Sequence, residues 1–263
     1  MKSETKILAD SYCPHQPTPK NNVVTSSYPT HGEERLHDFH SALCYFNFKR
    51  LVPGYAHEWW LNDINTEYDM RIKEGDFLEA ERKLVQSAAQ QAPEDADAFL
   101  NWFENLREHG PGQNDPLFPW LSVKASLTEM CWFLQQEAAG EAGFDDLVAM
   151  TQVRLPARAK LEMARNYWDE MGRGNEEGMH GRMLTAVVTT LNLKPRIGNT
   201  VWQALALANL MVGLAANRRY AYQAIGALGA IEMTAPGRVA QINAGLKRLG
   251  APVNARRYFQ LHS

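Results

Sequence analysis

From Glu33 onward, apolar residues return every three or four positions, the spacing of a helix with one buried stripe, and almost nowhere in the alternation of a half-buried strand. Leu36, His40, Leu43 and Phe46 or Phe48 share a face until Pro53-Gly54 breaks the run. The pattern then predicts helices over Glu58–Tyr68 and Asp76–Gln90, the latter with Phe77, Leu78, Leu84 and Ala88 on one side. A further helix starts at Pro93-Glu94-Asp95, where proline and acids suit a first turn, and stops at His109-Gly110-Pro111-Gly112. Phe118–Ala139, Phe144–Gln152, Pro156–Met171 and Glu176–Leu191 continue the series, followed by Asn199–Ala216, Tyr220–Glu232, Pro236–Leu249 and Val253–Leu261. Val23-Val24-Thr25 and Ala186–Leu191 are the notable β-branched clusters, and the second lies inside a helical pattern. The expectation is an all-α bundle of eight or more helices. It forms a single domain over residues 33–263, preceded by a loosely ordered arm over 1–32 that is rich in Pro, Asn, Ser, Thr and Lys.

Composition narrows the class. With 263 residues, 45% of them apolar, the chain can bury a large core. The longest apolar stretch, Val201–Ala216, is interrupted by Gln203 and Asn209, so no membrane span is expected, and the first residues lack the apolar core of a secretory signal. A net charge of −3 calls for no nucleic-acid partner. Cys13, Cys44 and Cys131 are too few and too scattered for a disulfide framework or a thiolate zinc site, which fits a cytoplasmic protein. Phosphate-loop, dinucleotide-fold, serine-elbow and zinc-protease motifs are absent, and Gly172-Arg173-Gly174 has no strand before it.

In a helical bundle, chemistry belongs to ionisable side chains that point inward from facing helices. Glu232 ends a run, Tyr222–Ile231, with no other charge and many small residues. Either it faces the core and needs a cation or strong donors, or it lies at a helix end and points to water before Thr234. Glu170 precedes Gly172 and Gly174, and His180 returns ten residues later; the two either converge on a cation or are a solvated helix end and a surface histidine. Glu34 and His37 have the Glu-x-x-His spacing, but a partly exposed amphipathic helix explains them, with His40 on its inner face. One of Glu129, Glu137 and Glu141 could face inward, and the spacing does not choose among them. The charges of Arg71–Lys83 alternate in sign and read as a solvated face. Trp120, Trp132, Trp168 and Trp202 are either pocket walls or core.

Four segments in order, Phe144–Gln152, Asp169–Gly174 with His180, Gly226–Glu232 and Arg256–His262, resemble the haem-oxygenase-like di-iron oxidases and oxygenases, also known as iron-containing redox enzymes. The likeness runs from about Trp120 to the end. It implies a haem-oxygenase-like multi-helix bundle, with Glu170, His180, Glu232 and His262 as ligands of one or two iron ions. It further implies O₂-dependent oxidation of a small amine, amino acid or fatty acid, by N-oxygenation or oxidative C–C cleavage, and a homodimer. His262 would open a His-x-x-x-Asp-x-x-His motif whose Asp and second His fall beyond Ser263. A shortened sequence, an incomplete site or other groups filling the gap are the corresponding expectations. A metal-free binding or partner protein of the same fold and a cofactor-independent, thiaminase-like enzyme are the competing readings.

Overall fold

The computed structural model describes residues 27–29, 31–140 and 143–263. The expected arm over 1–32, the Val23–Thr25 cluster, Cys13 and Glu141 therefore fall largely or wholly outside the described residues. Twelve α-helices and no strand occur among those described. They are α1 (Glu33–Leu51), α2 (Trp60–Ala89), α3 (Ala96–Glu104), α4 (Leu106–His109), α5 (Leu117–Val123), α6 (Leu127–Gly140), α7 (Phe144–Thr151), α8 (Ala157–Glu170), α9 (His180–Thr190), α10 (Trp202–Ala216), α11 (Ala221–Arg248) and α12 (Arg257–Leu261). The fold is all-α, as the periodicity predicts, and no helix among the described residues is long and apolar enough to cross a membrane.

Boundaries differ from expectation in several places, among them the helix expected from Pro93 to His109, which is split at Asn105 into α3 and α4. The expected helices Glu58–Tyr68 and Asp76–Gln90 are one, α2, because Gly75 is the only weak helix former between them and costs about 1 kcal/mol relative to alanine. The expected helix Phe118–Ala139 is two. Ser126 starts the second, its hydroxyl and backbone N–H both donating to Glu129, while the Glu129 N–H donates back to the hydroxyl. That reciprocal cap fixes the start of α6 and explains Glu129, which is exposed and takes no part in a site. Tyr220–Glu232 and Pro236–Leu249 also form one helix, α11, with Pro236 in its interior. Proline has no N–H, so the Glu232 carbonyl four residues earlier loses its helical partner. Side chains bridge the weakened turn: Gln113 Nε2 and Arg238 Nε donate to the Thr234 carbonyl, and the Thr234 hydroxyl donates to Ala230.

The core gathers in three clusters around α10 and α11. Leu121, Met130, Phe133, Val187, Ile242, Leu246 and Phe259 join α5, α6, α9, α11 and α12. Leu147, Val148, Met211, Val212 and Leu228 join α7, α10 and α11. Leu43, Phe77, Leu78 and Tyr220 fasten α1 and α2 to the other flank of α10. A side chain at Gly245 would overlap the Leu121 carbonyl, so glycine there sets the close approach of α11 to α5.

Arg71–Lys83 is not the solvated face its charges predict. Glu74 is only 1% exposed. Its carboxylate accepts from Arg50 at 2.5 Å, from Arg71 at 2.9 Å and from Asn217 at 2.9 Å. The reversal has a simple cause: two guanidiniums and an amide replace the water that a buried carboxylate loses. Leu84, expected inside, is exposed, and so is Phe48, leaving Phe46 as the inward residue of that pair.

Candidate functional site

Helix α8 ends at Glu170, and the chain reverses through Gly172, Arg173 and Gly174, all with left-handed φ of 60°, 55° and 84°. A side chain at Gly172 would collide with the Gly178–Met179 backbone, and one at Gly174 would meet the indole of Trp168 at 2.9 Å. Glycine is therefore required at both positions, and the loop folds back tightly enough to begin α9 at His180. The Asn175 side chain accepts from the Glu177 N–H and starts the short turn before that helix.

This reversal brings Glu170 Oε2 to 2.7 Å from His180 Nδ1. His262, just past the end of α12, adds its Nε2 at 3.1 Å from the same His180 nitrogen, with the two rings edge to face. Glu170 is 3% exposed, and both histidines are half-buried. The His262 Nδ1 lies 2.7 Å from the Tyr258 carbonyl and must donate its proton there. That fixes the tautomer and leaves Nε2 with a lone pair directed at the cluster.

Glu232 enters from α11. It lies in the middle of that helix, so the helix-end alternative for it falls. Its side chain reaches a cavity of about 900 Å³ that Glu170, His180 and His262 also line. The residue is open to water through the cavity mouth. Even so, partial desolvation and the neighbouring Glu170 carboxylate push its pKa up, against an opposing pull from His180. Burial holds His262 below the ordinary histidine range, an effect that His180 reinforces and that the Tyr258 carbonyl and Glu170 partly offset.

All four residues singled out in the sequence thus surround one cavity. The alternatives left open in the sequence resolve away from this cavity. Glu137 borders a separate crevice beside Leu134 and Tyr258. Glu34 is exposed, as the amphipathic-helix reading expects, and His40 is fully buried among aromatic rings outside the cavity lining. None of Trp120, Trp132, Trp168 and Trp202 lines the cavity, although Trp168 supports the loop that does. The residues missed are Arg257, Met183 and Gln260 in the cavity wall; no local spacing marks them, because α9 and α12 meet only in the tertiary fold.

Among the described residues, no group of three or more His, Cys, Asp or Glu is poised to hold a metal ion as it stands. The reason is visible in the distances: the donors are hydrogen-bonded to one another instead of facing a shared point. In kind, however, they fit. Two carboxylates and two imidazoles suit iron or manganese. The separations of 2.7 and 3.1 Å about His180 Nδ1 are those of adjacent ligands, since bonds of about 2.1 Å at right angles put donors about 3 Å apart. Replacing the shared protons by a cation is the change required.

A helical scaffold with a mixed carboxylate–imidazole cluster at one cavity defines the class. The chain matches the model of the iron-containing redox enzymes over residues 131–263. It belongs to that family, whose fold is haem-oxygenase-like, and its general function is that of an oxidoreductase. No curated protein matches it.

Proposed function

We propose that the protein is a non-haem iron enzyme that uses O₂ to oxidise a small amine, amino acid or fatty acid, by N-oxygenation or oxidative C–C cleavage, with Glu170, His180, Glu232 and His262 holding one or two iron ions. The observation that carries this reading is the convergence of Glu170 and His262 on His180 Nδ1, with Glu232 on the wall of the same cavity. When bound, iron supplies the activation of O₂ that no side chain here can provide. The chain's own residues do the rest. Tyr258 holds the His262 proton on Nδ1, so Nε2 is available as a donor. The Gly172–Gly174 reversal holds Glu170 against His180. Glu232 is more basic than an ordinary carboxylate, through partial desolvation and the neighbouring Glu170, and stands on the cavity wall as a further oxygen donor. Met183, Ala235, Pro236 and Leu261 give the cavity an apolar side for the body of a substrate. Helix α11 contributes to the first two apolar clusters and α10 to the last two, a continuity that supports one domain over 33–263.

Anaerobic titration with Fe(II) tests the proposal. The wild type should take up at least about one iron per chain with release of protons, because the ligands must be deprotonated, and should develop O₂-dependent absorbance. Glu170→Ala should lose most of that uptake; equal loading by the variant would refute the assignment. The mutual hydrogen bonds of the donors favour one other reading, a metal-free binding protein of the same fold. It predicts no iron uptake by either form.

A further inference from the structure

The charges around the cavity do not cancel. Asp169 and Arg173 neutralise each other through a contact of 2.7 Å. Glu170 and Glu232 would be balanced by a divalent ion, and imidazoles bound to it are neutral. Arg257 is left over. It opens α12, five residues before His262, and it lines the main cavity. It also lines a second recess of about 320 Å³, so together with Met183 it forms the partition between the two. Among the described residues it has no ion pair and no side-chain hydrogen bond. A guanidinium presents a planar fork of donors matched to a carboxylate. Met183, Leu261, Ala235 and Pro236 supply apolar lining to the same cavity.

We propose that Arg257 is the binding residue for a carboxylate on the substrate, so that the enzyme acts on carboxylic acids with an aliphatic body and not on simple amines. The inference rests on the iron-site reading above and narrows its substrate class. Arg173 lines the same cavity but is committed to Asp169, so it is not expected to contribute the same selectivity.

Octanoate, its uncharged analogue octanamide and octylamine serve as probes, with binding to the anaerobic Fe(II)-loaded protein followed by calorimetry and iron content measured on the same samples. Octanoate should bind, and octanamide and octylamine should bind at least about tenfold more weakly. Arg257→Gln should reduce octanoate affinity by about tenfold to a hundredfold, the usual scale for a lost charge-assisted hydrogen bond. Arg158→Gln, on an exposed turn of α8 outside the cavity lining, should change it little. Because Arg257 is exposed and unpartnered, its variant should melt like the wild type. Equal binding of octanoate and octanamide, or no binding of octanoate, overturns the proposal. So does a preference for octanoate that survives Arg257→Gln, which would mean that the ion itself takes the carboxylate. Iron uptake with any of these results leaves the metal site standing, whereas no iron uptake removes the reading beneath both.

Discussion

Lowering the pH protonates an ordinary histidine on a protein surface at little cost, but His40 has nowhere to put the charge. It is 0% exposed, between the rings of Tyr28, Phe39 and Phe77, with Trp202 stacked 6.0 Å away. Its Nδ1 faces the Asn209 amide at 3.4 Å, its Nε2 has no partner among the described atoms, and the Cys44 thiol one turn on is itself pushed up to about 11 by burial. Burial lowers the His40 pKa from 6.5 to about 4. The unfolded chain therefore takes up this proton as the pH falls through 6.5, while the folded chain refuses it until about 4. Stability that is fully present above 6.5 is lost across that window, to a total of about 3 kcal/mol and about 2 kcal/mol by pH 5. His40→Leu removes the titration at similar volume and keeps the bond from Asn209 to the residue-40 carbonyl, which is backbone. It also removes a buried nitrogen without a partner, so at about pH 7.5 the variant should lie within about 1 kcal/mol of the wild type. Urea unfolding followed by tryptophan fluorescence at about pH 7.5 and about pH 5 gives the comparison. Carboxylates elsewhere shift both proteins alike, so the wild type should lose about 2 kcal/mol more than the variant between those points. Equal losses would refute the assignment of acid sensitivity to His40.

Four further outcomes are expected. Glu74→Ala leaves Arg50 and Arg71 facing a buried gap and should cost about 3–5 kcal/mol, read as a fall in the urea midpoint. Ser126→Ala removes the reciprocal cap of α6 and should cost about 1 kcal/mol in the same assay, without altering iron uptake. Gly172→Ala forces a left-handed φ and a clash with the Gly178–Met179 backbone, so it should reduce Fe(II) uptake by pulling His180 away from Glu170. His262→Ala removes the lone pair aimed at His180 and should lower Fe(II) affinity by at least about tenfold in anaerobic titration, while a surface change such as Lys160→Ala should not.

What could be read from the sequence follows the range of the forces involved. Helix type and most helix positions are local, and the spacing of Leu, Ala and Met reports them directly. Where a break depends on one residue, local reasoning fails in both directions. Pro236 looks like a terminator but sits inside α11, because Gln113, Arg238 and Thr234 supply hydrogen bonds around it. Lys124–Ser126 contains neither proline nor glycine, yet it ends a helix because the Ser126–Glu129 cap is better satisfied there. The capping spacing was visible as Ser126-x-x-Glu129. Glu74 defies its local pattern for a different reason: a charge reads as solvated until the partners that cover it are known, and Asn217 comes from a segment 143 residues away. The four cavity residues were legible through the order of their motifs. Arg257 was not, since its significance lies in having no partner, which only the fold reveals.

The distribution of these features separates stability from chemistry. Glu74, Arg50, Arg71 and His40 lie on α1 and α2, outside the 131–263 span shared with the iron-containing redox enzymes, and they fasten those helices to α10. The cavity residues lie on α8, α9, α11 and α12 and on the loops that join or follow them, all within that span. The two sets meet through α10, whose Leu210 and Leu214 pack toward α1 and α2 while Met211 and Val212 pack toward α7 and α11. Loss of the Glu74 cluster therefore loosens one flank of α10 without touching a donor atom, whereas loss of Gly172 moves a donor without disturbing any of the three apolar clusters. A variant of the first kind that abolished iron uptake while still folded would require a coupling across α10 that the rigid packing of its apolar neighbours does not supply.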